Sequence, residues 1–385
     1  MTVKNFLPEQ YKTDAALTIN HNYLSQQFSD ADVILEKIKR VVLNNDFTLG
    51  KSVDDFEKRF QSMLQVKHAI GVGSGTDALF LSLKALGVQP GDEVITTPFT
   101  FYATIGAIVT AGATPIFVDI RADYNINPEK IEAKITDKTR VILPVHWAGK
   151  PCDMNAINKI AKQYSLFVIE DACHAIQATY KNRFAGTLGD MGCFSFHPLK
   201  NLNVWGDGGM ITTNSDILAD QLRLMRNHGL QGRDTCVQFS YNSRLDTIQA
   251  VVADHLLNKL EHITQSRIQH ATYLDRALRK IPQIIVPNRE SDIKQVYHLY
   301  SVCCEKRNAL KNYLIEHGVD AKVHYPIPMH LQPAAKPYGY QSGDFPAAEK
   351  VAATTLSLPV HEFMTKTQLD TVIECITDFM EIFYQ

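Results

Sequence analysis

No stretch of this 385-residue chain stays apolar for the length of a bilayer, and the first thirty residues, MTVKNFLPEQYKTDAALTINHNYLSQQFSD, hold no long apolar run. Neither a membrane span nor a secretory leader is expected. An excess of one charge is also missing: 39 Lys and Arg against 41 Asp and Glu leave a formal net charge of -2. That balance supplies no global field to draw in nucleic acid or an anionic membrane, although it leaves single clefts free to be basic. Cysteine is sparse and unpatterned. Cys152, Cys173, Cys193, Cys236, Cys303, Cys304 and Cys375 form an odd set without zinc-like spacing. This argues against a disulfide framework and for a reducing, cytoplasmic compartment. The fourteen histidines are scattered, with no His-x-Glu-x-x-His arrangement. His324 and His330 share a proline-rich loop, which is weak evidence for a metal, and none is expected.

What the chain does have is a 45% hydrophobic content, enough for a large core and two or three domain-sized units. EVITT (93–97), TPIFVDI (114–120), RVILPVH (140–146) and SLFVIED (165–171) are nearly continuous apolar runs. Their ends recur roughly every 25 residues, close to one βα unit. Helical patterns such as NAINKIAKQY (155–164) lie between them. The alternation predicts an α/β domain over about residues 50–245, with a mainly parallel sheet covered on both faces. Residues 245–281 contain neither Gly nor Pro and place Ile248, Val251, Val252, Leu256, Leu260 and Ile263 at helical spacing, predicting one long helix or two in tandem. Beyond it, VYHLYSVCC (296–304) and DAKVHYP (320–326) read as strands. RNALKNYLIEHG reads as a helix ending at Gly318, and KTQLDTVIECITDFMEIF as a terminal helix. The predicted division is 1–245, an N-terminal arm with the large domain, and 246–385, the long helix with a smaller α+β domain.

Three short stretches carry chemistry. In GVGSGTDALFLSLKALG (71–87), Gly73-Ser74-Gly75-Thr76 joins a strand to a helix, where free N–H groups attract an anion. The spacing is neither Gly-x-Gly-x-x-Gly nor a Walker loop, so neither a dinucleotide nor a nucleoside triphosphate is indicated. A plain helix cap with turn glycines fits this stretch equally. In VIEDACHA (168–175), Glu170 and Asp171 close an apolar strand, where open α/β sheets bind ligands; a helix N-cap is the competing reading. In SFHPLKNLNVWGDGGMI (195–211), Lys200 follows a strand and precedes a run of glycines. An amine, a carboxylate and an anion cradle together meet the needs of pyridoxal 5'-phosphate. Its aldehyde takes an amine, its ring nitrogen a carboxylate and its phosphate a helix N-terminus.

Taken in order, GSGTDAL, TPFTFYAT, PVHWAGKPCDM, IEDACHAI, GCFSFHPLKNL, GDGG, YNSRLDTIQA and VHYPIPMHLQPA resemble the motif series of the DegT/DnrJ/StrS aminotransferases, from about Asp46 to the C-terminal helix. These are fold-type-I pyridoxal-phosphate enzymes that aminate keto sugar nucleotides. The resemblance implies Lys200 as the Schiff-base amine and proton shuttle. It implies Asp171 on the pyridinium nitrogen, His174 near the ring hydroxyl, and Gly75, Thr76 and Ser195 on the phosphate. Phe101 stacks on the ring, or else simply packs. Asn242 reaches the phosphate of a neighbouring subunit's cofactor and Arg244 the sugar nucleotide's pyrophosphate, which requires a homodimer with active sites at the interface. His324 and Tyr325 line the sugar-nucleotide site. The loop HYPIPMHLQPA is more similar to members acting at a 3-keto than at a 4-keto carbon. L-glutamate is the implied donor, a dTDP- or UDP-linked sugar the acceptor, and bacterial polysaccharide or glycoconjugate biosynthesis the setting. Family members that carry histidine in place of the lysine are dehydratases, so Lys200 favours transamination; a sugar-binding regulator is the non-enzyme alternative. Trp147 and Trp205 depart from the smaller residues common at their positions, without a role to assign from sequence.

Overall fold

The computed structural model describes Tyr11, Asp14 and residues 16–384. Its centre is a seven-stranded sheet of β1 (His68–Val72), β2 (Glu93–Thr96), β3 (Thr114–Phe117), β4 (Thr139–Ile142), β5 (Phe167–Asp171), β6 (Met191–Ser195) and β7 (Gly209–Thr213). The order across it is β1-β7-β6-β5-β4-β2-β3. Pairing is parallel except at β7, which runs against both β1 and β6. The reversal has a simple cause. The connection from β6 to β7 holds no crossover helix, and a strand returning without one lies antiparallel.

Helices cover both faces, as continuous burial along the strands requires. On one face, Phe56 and Phe60 of α1 (Lys51–Leu64) meet Phe194 and Phe196, with ring centroids 5.2–5.8 Å apart. On the other, Leu79 and Leu83 of α2 (Gly75–Ala85), Ile108 of α3 (Tyr102–Thr110) and Leu222 of α4 (Asp216–Met225) pack on Ile70, Val94 and Ile169. The helix starts are written locally: Ser74 Oγ accepts from Asp77 N at 3.0 Å, and Ser215 Oγ from Leu218 N at 3.3 Å.

The Gly- and Pro-free stretch forms two tandem helices, α5 (Thr247–Leu257) and α6 (Leu260–Leu278). They lead to a two-stranded antiparallel pair, β8 (Tyr300–Cys303) and β9 (Thr355–Leu358), packed with α7 (Arg307–Glu316) and α8 (Lys366–Phe383) around Leu310, Leu314, Val372, Ile376 and Phe379. A capping box starts α8, with the Thr365 side chain on Gln368 N and the Gln368 side chain on Thr365 N. One predicted strand is absent. In 320–326 only Lys322 bridges to the small sheet, at Ser357. Pro326 and Pro328 cannot donate to a ladder, and the contact of His324 with β9 is made by its side chain, Nδ1 to Ser357 Oγ at 3.0 Å. No helix among the described residues is long and apolar enough to cross a membrane.

Candidate active site

β5 and β6 end side by side at the carboxyl edge of the sheet, and α2 starts against them. Gly75 opens that helix so closely that an added Cβ would sit 2.6 Å from Ser195 Cβ and 3.0 Å from Cys173 Sγ. Only glycine lets the helix N-terminus reach the strand ends. Thr76 stands exposed in the first turn, and Ser195 ends β6. The glycines after Lys200 make room mainly for the chain itself, because a Cβ at Gly209 would collide with the Ser74 carbonyl. Ser243 Oγ ties the loop 241–244 to this cradle, accepting from Gly73 N at 3.1 Å and donating to Asp77 Oδ2 at 2.7 Å.

Asp171 closes β5 and is 5% exposed. Its Oδ2 accepts from Thr104 Oγ1 at 2.8 Å, itself paired with Thr100 Oγ1 at 2.7 Å, and its Oδ1 from Cys173 N at 3.2 Å. A carboxylate has about four acceptor sites, so capacity for a further donor remains. Lys200 lies in the loop after β6, its backbone held by His197 O at 2.8 Å and by Asn203 Nδ2 at 3.0 Å. Burial lowers its amine below the ordinary lysine range; Cys173 and Asp171 pull the other way.

Around that amine stands a wall of imidazoles. His174 is 7% exposed with Nδ1 unpartnered, and burial holds it well below the ordinary histidine range, helped by Lys200 and His324. Its ring lies 4.3 Å from that of His298, which burial depresses in the same way. His324 is pushed down to about 3 by burial, then by His21 and Lys322. His21, 6.1 Å from His324, falls to about 4 by burial, against the pull of Asp320. Trp147 is 2% exposed, and its ring sits 5.7 Å from His174 and 5.5 Å from Tyr325. Phe101 is half-exposed at the start of α3 and lies 5.7 Å from Tyr325.

The wall is assembled from far along the chain. Val296 N donates to Gly149 O at 3.1 Å, Asn201 Nδ2 to Val296 O at 3.0 Å, and Arg267 Nη1 to Tyr297 O at 3.0 Å. These bonds pin the residues before His298 to the large sheet, the lysine loop and α6 together. Sequence reading missed His21, His298 and Thr104. Thr104 had a signal, three residues after Phe101 in TFYAT and so one helical turn along. His298 had none, since VYHLY reads as an ordinary strand. Asn242 and Arg244 lie apart from Lys200's neighbours: Asn242 is exposed, and Arg244 Nη1 donates to Asn227 Oδ1 at 3.1 Å.

The family model for DegT/DnrJ/EryC1/StrS aminotransferases matches residues 29–377. The chain belongs to that family. A pleiotropic regulatory protein of Geobacillus stearothermophilus is 42% identical over 364 residues, covering 94% of this chain and 98% of its own. A dTDP-3-amino-3,4,6-trideoxy-alpha-D-glucose transaminase of Streptomyces venezuelae is 37% identical over 89% of this chain and 91% of its own. Among solved structures, S. venezuelae DesV in complex with a ketimine intermediate superposes with a TM-score of 0.91 at 36% identity, covering 93% and 97% of the two chains. The protein is therefore an aminotransferase of the pyridoxal-phosphate-dependent fold, and its cofactor is pyridoxal 5'-phosphate. The aminotransferase's own residues suit that group. They offer a desolvated amine, a buried carboxylate with acceptor capacity to spare, an unpartnered imidazole Nδ1 and a helix N-terminus opened by glycine.

Proposed function

We propose that this aminotransferase moves an amino group from L-glutamate to the 3-keto carbon of a dTDP- or UDP-linked sugar. The observation that carries the reading is the desolvated Lys200 amine, set among Asp171, Cys173 and a wall of uncharged imidazoles. Pyridoxal phosphate, when bound, supplies an aldehyde that takes up the amino group and a ring that accepts the electron pair left at the reacting carbon. The chain supplies the rest. Lys200 Nζ takes the proton from the α-carbon of glutamate in one half-reaction and returns one to the sugar's keto carbon in the other. An amine whose proton is held less tightly because of burial suits both transfers. Asp171 accepts the ring N–H in its free acceptor position, held in place by Thr104 and Cys173 N. His174 Nδ1 meets the ring hydroxyl, and Phe101 covers the ring. The Gly75–Thr76 turn, with Ser195, binds the phosphate.

His324 and Tyr325 hold the sugar, whose hydroxyls meet neutral imidazoles rather than charges. Choice of the 3-keto carbon rests on the loop HYPIPMHLQPA and on likeness to the S. venezuelae transaminase, whose name is that of a 3-amino sugar enzyme. Asn242 and Arg244 serve the active site of a second copy, Arg244 forking onto the pyrophosphate. Exposed Val237, Phe239 and Tyr241, next to Asn242, suit the interface of such a homodimer. The functional boundary falls at 245/246, and the setting is the cytoplasm, where seven free thiols persist; the product enters bacterial polysaccharide or glycoconjugate synthesis. The test incubates the holoenzyme with glutamate and, separately, 3-keto and 4-keto sugar nucleotides, reading the aminated carbon by NMR. Amination of the 3-keto substrate alone is expected. Amination of the 4-keto substrate alone replaces this reading with that of a C4 aminotransferase.

A further inference from the structure

A cavity of about 560 Å3 lies in the small domain, away from Lys200, between α7 and the segment 320–326. Three cationic side chains line it, Arg307, Lys311 and Lys322, against one carboxylate, Asp320. Arg307 is 7% exposed, yet its Nε and Nη1 go only to neutral acceptors, Asn308 Oδ1 at 2.7 Å and the Thr355 carbonyl at 2.9 Å. Among the described residues no carboxylate pairs with it. Burial pulls its pKa below the ordinary arginine range. Lys311, one turn further along the same helix face, has neither hydrogen bond nor ion pair among the described residues. Lys322 meets Asp320 at 3.3 Å, and that carboxylate also accepts from His21 N at 3.1 Å. The first turn of α7 has no acidic residue and no side-chain cap, so the helix end adds to the positive field. The Arg307 guanidinium is hydrogen-bonded only to neutral acceptors, so its charge stays uncompensated beside Lys311 and Lys322 and is available to an anion.

We infer that this cavity binds a nucleoside phosphate, its phosphates on Arg307, Lys311 and Lys322 and its ring portions against Ile315 and Val323. The volume lies in the range of small-molecule sites and exceeds what a free phosphate fills. Lys322, Val323 and Pro326 line the cavity and flank His324 and Tyr325, so occupancy restrains that pair. The restraint matters for turnover only on the function proposed above; binding itself stands independently of it.

Isothermal titration of the holoenzyme with UTP, and in a second arm with tripolyphosphate, tests the site. Because the substrate pocket proposed above would also take nucleotides, the decisive comparison is with Lys311→Glu and Lys311→Ala, and with Lys350→Glu, an exposed side chain on the helix Pro346–Thr354, as control. One of the UTP binding events is expected to weaken by about tenfold or more in both Lys311 variants and to persist in the control. UTP is expected to bind that site more tightly than tripolyphosphate. Isotherms indifferent to Lys311 overturn the site. Equal affinity for UTP and tripolyphosphate overturns the nucleoside assignment. Lys311 is half-exposed, and a thermal melt matching wild type confirms that the variants fold.

Discussion

Two carboxylates stand side by side at the end of β5, and the pleat turns them to opposite faces of the sheet. Glu170 is fully buried, and every acceptor position is filled. Its Oε2 takes His146 Nε2 and Gly186 N, each at 2.8 Å, and its Oε1 takes Leu188 N at 2.6 Å and Gly189 N at 2.7 Å. Asp171 takes only two donors. The first acid is a clamp that fastens the 184–189 turn to the sheet. The second is held still and left with room to act. Two residues of the same charge, adjacent in sequence, differ in hydrogen bonding because their neighbours satisfy one and leave the other incomplete.

The contrast can be broken by substitution. The largest effect belongs to the amine that Asp171 faces. Lys200→Ala is expected to lower turnover with glutamate and keto sugar by about 10^4-fold or more, and to remove the visible absorbance of cofactor joined to lysine. Ordinary turnover in that variant would end the assignment. Glu170→Ala strands four donors and is expected to cost about 3–5 kcal/mol of folding stability, read by denaturant titration. Asp171→Asn is expected to do the reverse, leaving stability near wild type and lowering kcat by about 10^2–10^3-fold. If Asp171→Asn unfolds the protein while Glu170→Ala merely slows it, the two roles have been exchanged.

Gly75→Ala sharpens the same comparison at the cradle. Its Cβ must displace Ser195 or Cys173, at about 1–3 kcal/mol, and cofactor retention after dialysis should fall while Glu170's side of the sheet is untouched. The smallest effect is in pH dependence. Unfolded histidines bind protons near their ordinary 6.5, whereas burial holds His324 to about 3 and His21 to about 4 in the folded chain. The unfolded state therefore takes up protons that the folded state refuses, and stability falls as the pH drops from about 6.5 toward about 3. His324→Gln removes one such site. The stability of wild type minus that of the variant should shrink across this window, measured by urea titration at several pH values. A constant difference would show that His324 is not held neutral by folding.

Much of the floor of the site was legible because it is local. The turn at Gly75, the strand-end acid at Asp171 and the lysine after β6 each sit in one short motif, and strand periodicity brings their ends to one edge. Alternation alone says that Glu170 and Asp171 face opposite ways and not which way the sheet is covered; the choice of Asp171 comes only from the motif resemblance. The predicted strand at 320–326 is reduced to one bridge at Lys322; the segment has a single β-branched residue, Val323, and ends at Pro326, which cannot donate to a ladder. The purpose of the GDGG glycines was not legible either: Gly209 makes space for the backbone of Ser74, which lies far away in sequence.

The amino-acid sequence by itself determined the alternation of strand and helix, the glycine that opens α2, the near-neutral charge and the placing of an amine and a carboxylate at strand ends. These follow from side-chain periodicity and from backbone freedom within a few residues. Only the tertiary structure decided that His174, His298 and His324 gather near one lysine, with His21 behind His324, and that burial lowers all four below the ordinary histidine range. They come from segments far apart in the chain, joined through Gly149, Asn201, Arg267 and Asp320. Their protonation is set by desolvation, which exists only once the packing that excludes water is complete.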